Sequence, residues 1–181
     1  MRLFYAAYAA YAAYAAVMLH AATGTDATAV VSVPALDVFS NSLANANCAT
    51  TIDGKMQCWG SNEYSKLGWH SHEISGACPD EMGDHLPAVD LGPGFVPKLL
   101  PTSNMGNRQC VISFANTLKC WGGDAFAHPN MMGARLPLVS LGTGRTVMAV
   151  SVGAFHNCAI LDDSSTKCWG TNVYGEVGRI P

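Results

Sequence analysis

The chain has few charged side chains, and this shortage bears on the partners it can bind. Only 13% of its 181 residues are charged, the formal net charge is −3, and the Lys and Arg residues form no cluster. Binding to a phosphate backbone needs positive charge concentrated on one face of a protein. We therefore expect no nucleic acid as a direct partner.

The sequence also lacks the short motifs that carry common catalytic chemistry. It has no G-x-S-x-G nucleophile elbow, no G-x-x-x-x-G-K-[ST] phosphate loop and no H-E-x-x-H zinc motif. The glycine pairs Gly92-Pro-Gly94 and Gly142-Thr-Gly144 are too short to cradle a phosphate and are typical of turns. We expect no catalytic residues, no cofactor and no enzymatic activity.

What the chain does have is a composition typical of a compact, turn-rich β domain. It contains 18 Gly, 9 Pro and 49% apolar residues, which suits a packed fold better than a disordered chain. One folded domain is the default interpretation, and we place it at residues 30–181.

Residues 1–29 do not resemble part of that domain. An uncharged stretch, 3–19, follows Arg2, and Ala27-Thr28-Ala29 offers a small-residue cleavage site, a pattern typical of a secretory signal peptide. The alternatives are an Ala-rich helix with tyrosines on one stripe, or an uncleaved membrane anchor at the lower limit of length. We predict a helical leader that directs export, so that the mature protein is secreted.

Internal repetition is the strongest signal in the chain. Three segments align, each with two cysteines ten positions apart and a Trp-Gly pair after the second; their cores lie near 47–62, 109–124 and 157–172. A second block, 82–101, matches 132–151 at a constant offset of 50 residues. The cysteine-to-cysteine repeat lengths are 62 and 48 residues, in the range of propeller blades, each a small sheet of about four strands.

Each repeat core has the pattern of a β-hairpin that places its two cysteines opposite each other. The hairpins are expected to turn near Asp53, Ala115 and Asp163 through three-residue loops whose last residue is left-handed. Gly54 and Asn116 suit that conformation, whereas Ser164 suits it poorly and favours a longer, looser turn.

The paired cysteines predict cross-strand disulfides, because opposed strands bring Cβ atoms close to bonding distance. The pairs are Cys48–Cys58, Cys110–Cys120 and Cys158–Cys168. Three equal spacings in a chain with an export signal favour bridges over the alternative of small, buried, unbonded cysteines.

The Trp-Gly pairs are interpreted as blade core rather than as a ligand-binding set. Each Trp follows a Cys in the strand and so points to the opposite face, where it can fill the space between neighbouring sheets. Each Gly lets the chain turn away sharply. These residues are Trp59, Gly60, Trp121, Gly122, Trp169 and Gly170.

The pattern Cys-Ala-x-x-turn-Lys-Cys-Trp-Gly-x-Asn-x-Tyr-Gly-x-x-Gly, clearest from Cys158 to Gly178, resembles the repeat of the regulator of chromosome condensation family. The paired cysteines and the GDHLPAVDLG spacer are most similar to its extracellular branch. The resemblance implies a seven-bladed propeller that binds proteins through loops at one rim. Its nuclear members include a guanine-nucleotide exchange factor for a small GTPase.

Three repeats predict an all-β partial propeller of about three blades of antiparallel strands. Such an arc leaves strand edges and apolar faces uncovered, so self-association is a possible outcome. The predicted function is an exported module that binds an unidentified protein partner. The alternative is an intracellular regulator or exchange factor of the same repeat family, and a membrane is involved only if the leader is an uncleaved anchor.

One polar group of residues suggests a metal site without establishing it. Its members lie in the longer connection after the first hairpin: His70, His72, Glu73, Cys78, Asp80, Asp84 and His85. A His-x-His next to a cysteine and carboxylates could bind zinc or another transition metal, but the Gly and Pro residues around them favour a solvated loop. We therefore predict no metal site. Cys78, the seventh cysteine, has no counterpart in the repeats, and we expect it to be unpaired within the chain; whether it is a free thiol or forms a bridge elsewhere stays open.

Overall fold

The computed structural model describes residues 35–41, 45–69, 75–78, 81–99, 106–123 and 131–178. The predicted helical leader and export signal at 1–29 lie outside them. The described residues form three antiparallel sheets of three strands each, so the expected all-β partial propeller of three blades is confirmed. The first blade contains β1 (Ala35–Asn41), β2 (Ala46–Thr51) and β3 (Met56–Gly60).

The second and third blades repeat this order of strands. The second contains β4 (Pro97–Leu99), β5 (Arg108–Ser113) and β6 (Leu118–Gly122), and the third β7 (Val147–Val152), β8 (His156–Leu161) and β9 (Thr166–Gly170). Short 3-10 turns occupy Glu63–Ser65, Gly83–His85 and Gly133–Arg135. In each blade the middle strand pairs with both neighbours.

The central hairpins share one turn geometry. The amide of Ser113 donates to the carbonyl of Thr117 at 2.9 Å, and equivalent bonds close the other two turns. The last loop residue is left-handed in all three, with φ of 81° at Gly54, 56° at Asn116 and 64° at Ser164. The looser turn expected at Ser164 was therefore wrong, because the flanking strand pairs and the disulfide fix a loop of the same length.

The connections between blades contribute less strand than expected. Each supplies the first strand of the next blade, but the block after Leu86 supplies only a single bridge, in which Ala88 faces Gln57. The amide of Val89 donates to the carbonyl of Met56 at 2.7 Å, and that of Val139 to the carbonyl of Leu118 at 2.8 Å. The first and second blades therefore have three strands each, and a short backbone contact with the following connection takes the place of a fourth strand.

The apolar core lies between the sheets rather than within any one of them. One buried cluster joins the first and second blades and includes Cys48, Cys58, Val111 and Trp121. The other joins the second and third blades and includes Cys110, Ile112 and Leu118 from one side and Val147, Val150 and Leu161 from the other. Since small sheets bury little apolar area alone, each blade depends on its neighbour for stability.

Trp121 occupies the centre of the first of these interfaces. It is 2% exposed, and its indole N–H donates to the backbone carbonyl of Lys66, in the loop that follows the first blade, at 3.0 Å. One side chain thus supplies both apolar contact and a buried hydrogen bond across the interface.

We expect Ser164→Gly to stabilise the protein. A left-handed residue with a Cβ costs roughly 1–2 kcal/mol, part of which is offset by the greater freedom of Gly in the unfolded chain. The net gain should be about 0.5–1 kcal/mol in the free energy of unfolding, measured by denaturant titration. Ser164→Ala is the matched control and should give no gain, because Ala keeps the Cβ. A Gly variant less stable than the parent would contradict the turn geometry.

We expect Trp121→Phe to destabilise the protein by roughly 2–3 kcal/mol, because it removes buried apolar area and leaves the Lys66 carbonyl without its indole donor. The matched control is Trp169→Phe, at the equivalent position of the third blade, where the ring is only half-buried. Its cost should be smaller. Equal losses of unfolding free energy in the two variants would show that the indole hydrogen bond has no special role.

Candidate interaction surfaces

The three disulfides join the cysteine pairs that the spacing predicts. Each pair is directly opposed in the strand register, with Cα atoms 4.1, 4.0 and 4.0 Å apart. Cys48, Cys58 and Cys110 are fully buried, Cys120 is half-buried, and so are both cysteines of the third disulfide, Cys158 and Cys168. The described residues therefore cover the third disulfide less completely than they cover the other two.

Each blade has two different faces, which we name by their direction along the arc. The forward face carries the disulfide and looks toward the next blade; the backward face carries the Trp and looks toward the preceding blade. Trp121 accordingly packs with Cys48 and Cys58 of the first blade, and Trp169 packs beside Cys110 and Cys120 of the second. This order repeats at both interfaces.

The Gly after each Trp is required by a close approach of the backbone. A Cβ on Gly60 would lie 2.3 Å from the carbonyl oxygen of Asn45, and one on Gly122 would lie 2.5 Å from that of Asn107. A Cβ on Gly170 would lie 2.4 Å from the carbonyl oxygen of Phe155. No other residue fits at these positions without moving the adjacent strand, so the glycines fix the blade geometry.

In the second and third repeats a lysine directly precedes the second cysteine, and the sequence alone did not assign it a role. Lys119 donates to the carbonyl of Leu91 at 2.6 Å, and Lys167 donates to the carbonyl of Leu141, its repeat equivalent. Burial lowers the pKa of Lys119, and the nearby Asp90 carboxylate opposes that shift. These lysines tie the connecting segment to the next blade.

The loop after the first blade forms the other half of the tryptophan contact. The side-chain oxygen of Asn62 accepts the amide of Leu67 at 2.9 Å, and the amide of Gly68 donates to the carbonyl of Ser65 at 3.1 Å. Leu67 is fully buried. We call residues 62–68 the indole-receiving loop, because the carbonyl of Lys66 lies within it and accepts the indole N–H.

One rim of the arc, where the central hairpins turn, carries exposed apolar side chains. Ile52 and Phe114, the first loop residues of two hairpins, are 50% and 52% exposed, and Val96 is 43% exposed. Val96 connects them: its carbonyl accepts the amide of Phe114 at 3.0 Å, and its Cγ1 lies 3.0 Å from the position of a Cβ on Gly54. We call Ile52, Val96 and Phe114 the turn rim.

The third blade continues this rim with charged groups instead. Thr146 and Asp162 stand where the second blade has Val96 and Phe114, and Arg145 pairs with Asp163 at 3.0 Å. Hydrogen bonds from the hydroxyl and amide of Ser165 hold the pKa of Asp163 below its usual value, and Arg145 adds to that shift. In the first hairpin, hydrogen bonds from Lys55 and Thr51 likewise lower the pKa of Asp53.

The polar residues considered as metal ligands are not brought together in the described part of the chain. His70, His72, Glu73 and Asp80 lie outside the described residues, and the described ones contain no group of three or more potential ligands. Cys78 is exposed and unbonded. Among the described residues, no helix is long and apolar enough to cross a membrane.

Comparison with known proteins finds similarity to one repeat family. Residues 148–176 match the Regulator of chromosome condensation (RCC1) repeat. Over 138 residues the chain is 26% identical to the human E3 ubiquitin-protein ligase HERC2. The matched segment covers 72% of this chain but only 3% of the ligase. The same identity and coverage are found for the mouse protein.

Two solved structures share the fold at low sequence identity. Human WBSCR16 aligns with a TM-score of 0.55 at 18% identity, over 81% of this chain and 36% of that structure. Prp20p from Saccharomyces cerevisiae aligns with a TM-score of 0.57 at 17% identity, over 82% of this chain and 36% of that structure. This chain thus spans about a third of each solved structure. Its repeated hairpins and blade order show a partial β-propeller, and its segment 148–176 is similar to the Regulator of chromosome condensation (RCC1) repeat.

Proposed function

We propose that the chain is an exported protein-binding module without catalytic activity of its own. The observation that carries the proposal is the turn rim, where Ile52, Val96 and Phe114 are exposed apolar side chains on neighbouring, disulfide-closed hairpins. Exposed aromatic and aliphatic side chains bordered by polar groups are typical of protein-binding surfaces. A rigid scaffold lowers the entropy lost on binding.

The surroundings of the rim suit a protein partner. Lys55 and Asp53 form an exposed ion pair at 2.6 Å beside Ile52, and Lys98 approaches the side chain of Asn116 at 3.5 Å beside Phe114. The Arg145–Asp163 pair borders the rim on the third blade. This arrangement of an apolar centre with polar neighbours matches the general pattern of interfaces between proteins.

The sulfur chemistry supports an exported protein. Cross-strand disulfides persist in oxidising compartments and are rare where thiols are kept reduced, and three of them close the hairpins here. The signal-like segment 1–29 supports the same compartment from the sequence. The alternative is an intracellular regulator or exchange factor of the same repeat type, since yeast Prp20p, which shares the fold, binds Gsp1p and histones.

Substitution on the rim tests the binding role. We expect the full chain, immobilised and exposed to the medium of its source cells, to retain a specific protein that Phe114→Ser no longer retains. The loss should be at least about ten-fold, because exposed aromatics at an interface centre contribute strongly to affinity. Phe155→Ser is the matched control, since Phe155 is a 60% exposed aromatic at the opposite end of the strands. Equal retention by both variants would contradict a rim-centred interface.

Export is tested on the leader itself. We expect residues 1–34 fused to a reporter to direct it into the culture medium, with cleavage near Val30. Ala10→Arg should abolish export because it places a charge within the apolar stretch, whereas Thr25→Arg, beyond that stretch, should retain it. A reporter that stays in the cytosol would favour the intracellular alternative.

A further inference from the structure

The two places where a hairpin turn meets the next blade differ in one backbone hydrogen bond. Between the second and third blades, the amide of Val147 donates to the carbonyl of Asn116 at 2.8 Å. Between the first and second blades, Gly54 stands at the position of Asn116 and Pro97 at that of Val147. Proline has no N–H to donate, and no described residue donates to the Gly54 carbonyl. This place, which we call the first junction, therefore has an open acceptor.

The open carbonyl lies beside the exposed apolar side chains of the turn rim. A Cβ on Gly54 would lie 3.0 Å from Cγ1 of Val96, and the carbonyl of Val96 accepts the amide of Phe114 at 3.0 Å. A group that covers these side chains removes the Gly54 carbonyl from water. Since an acceptor that loses water without gaining a donor costs free energy, a well-matched partner must supply an N–H or O–H here.

A β-bulge brings a lysine to the same junction. The register of β4 on β5 shifts between Pro97 and Leu99, so Lys98 is the extra residue. Bulges at sheet edges re-aim a side chain, and the ammonium of Lys98 approaches the side-chain oxygen of Asn116, in the hairpin turn, at 3.5 Å. Among the described residues it pairs with no carboxylate. The first junction thus combines apolar side chains, an open acceptor and an uncompensated positive charge.

The corresponding part of the third blade has neither polar feature. Its bulge residue is Met148, and Val147 occupies the carbonyl acceptor. Arg145 is compensated by two carboxylates, Asp163 at 3.0 Å and Asp162 at 3.6 Å. This contrast within one chain assigns recognition to the first junction rather than to the whole row of hairpin turns.

We propose that the first junction binds an extended acidic segment of the partner protein, in which an Asp or Glu lies next to an aromatic or large aliphatic residue. The apolar side chain packs against Val96 and Phe114, a backbone N–H of the segment donates to the Gly54 carbonyl, and the carboxylate pairs with Lys98. An extended chain presents backbone donors and side chains side by side. The inference rests on the proposed function of the turn rim and names the chemistry of its partner.

Charge complementarity favours this occupant over an apolar or basic one. A purely apolar segment would cover the ammonium of Lys98 without a partner, which costs free energy, and a basic segment would add repulsion. The neighbouring Lys55 and Asp53 compensate each other at 2.6 Å. The charge that remains at the first junction is therefore positive, and a carboxylate satisfies it.

Peptide selection on the full chain tests this chemistry. The probe is a phage-displayed library of random twelve-residue peptides, and the Phe114→Ser chain is used to discard peptides that bind elsewhere. We expect the remaining peptides to carry an Asp or Glu within two positions of an aromatic or large aliphatic residue. Replacing that carboxylate by its amide in a synthetic peptide should weaken binding by about ten-fold.

Chain variants locate the two polar contacts. Lys98→Glu should weaken binding of the selected peptide at least about ten-fold, whereas Arg135→Glu, at an exposed cation outside the turn rim, is the matched control and should retain it. Pro97→Val keeps every side chain of the turn rim and supplies the N–H that Val147 supplies at the next blade. It should weaken binding, because it closes the Gly54 carbonyl. Thermal unfolding of each free variant verifies folding.

The outcomes separate this proposal from the one on which it rests. The acidic segment is overturned if no selected peptide depends on Phe114, if the dependent peptides share no carboxylate, or if folded Lys98→Glu binds as the parent does. The amide-substituted peptide tests the carboxylate on the unaltered chain, and equal binding of both peptides is equally contrary. Unchanged binding by folded Pro97→Val overturns the contact with the Gly54 carbonyl. The proposed function fails separately, if the Phe114→Ser chain retains the same protein from the medium as the parent.

Discussion

The contacts of Trp121 and Trp169 with the disulfide-bearing face of the preceding blade hold the arc together. A three-stranded sheet buries too little apolar area to be stable alone, and here the buried residues gather between sheets in two clusters. The disulfide makes one face of each hairpin flat and apolar, and the indole covers it. Blade spacing, the approach of the Trp-Gly turn and the position of the indole-receiving loop all follow from this contact.

The disulfides contribute to this arrangement more through shape than through chain entropy. Each closes a loop with a sequence separation of only 10 residues, so its effect on the unfolded state lies toward the low end of the usual few kcal/mol. In the folded state it fixes the register that points Cys forward and Trp backward. The same rigidity holds the turn rim, because Ile52 and Phe114 extend from hairpins that cannot slip.

Much of the fold could be predicted from the sequence, since the repeated Cys-to-Trp-Gly spacing sets hairpin register and face. Strand β1 could not be predicted, because it contains neither cysteine nor Trp-Gly, and only its pairing with β2 defines it. The turn at Ser164 was misjudged on propensity, which the strands on both sides override. The turn rim was missed because Ile52 and Phe114 look like single apolar loop residues until Val96, from a distant segment, lies between them.

The most direct measurement is graded reduction of the native protein, followed by alkylation and peptide mass spectrometry. Reduction requires access to the sulfur atoms. Each of the first two disulfides has at least one fully buried cysteine, whereas both cysteines of the third, Cys158 and Cys168, are half-buried. We predict that Cys158 and Cys168 are labelled at reductant concentrations that leave the other two pairs intact. Labelling of Cys48 and Cys58 first, or of all three pairs together, would contradict the claim that each blade shields the disulfide of the one before it.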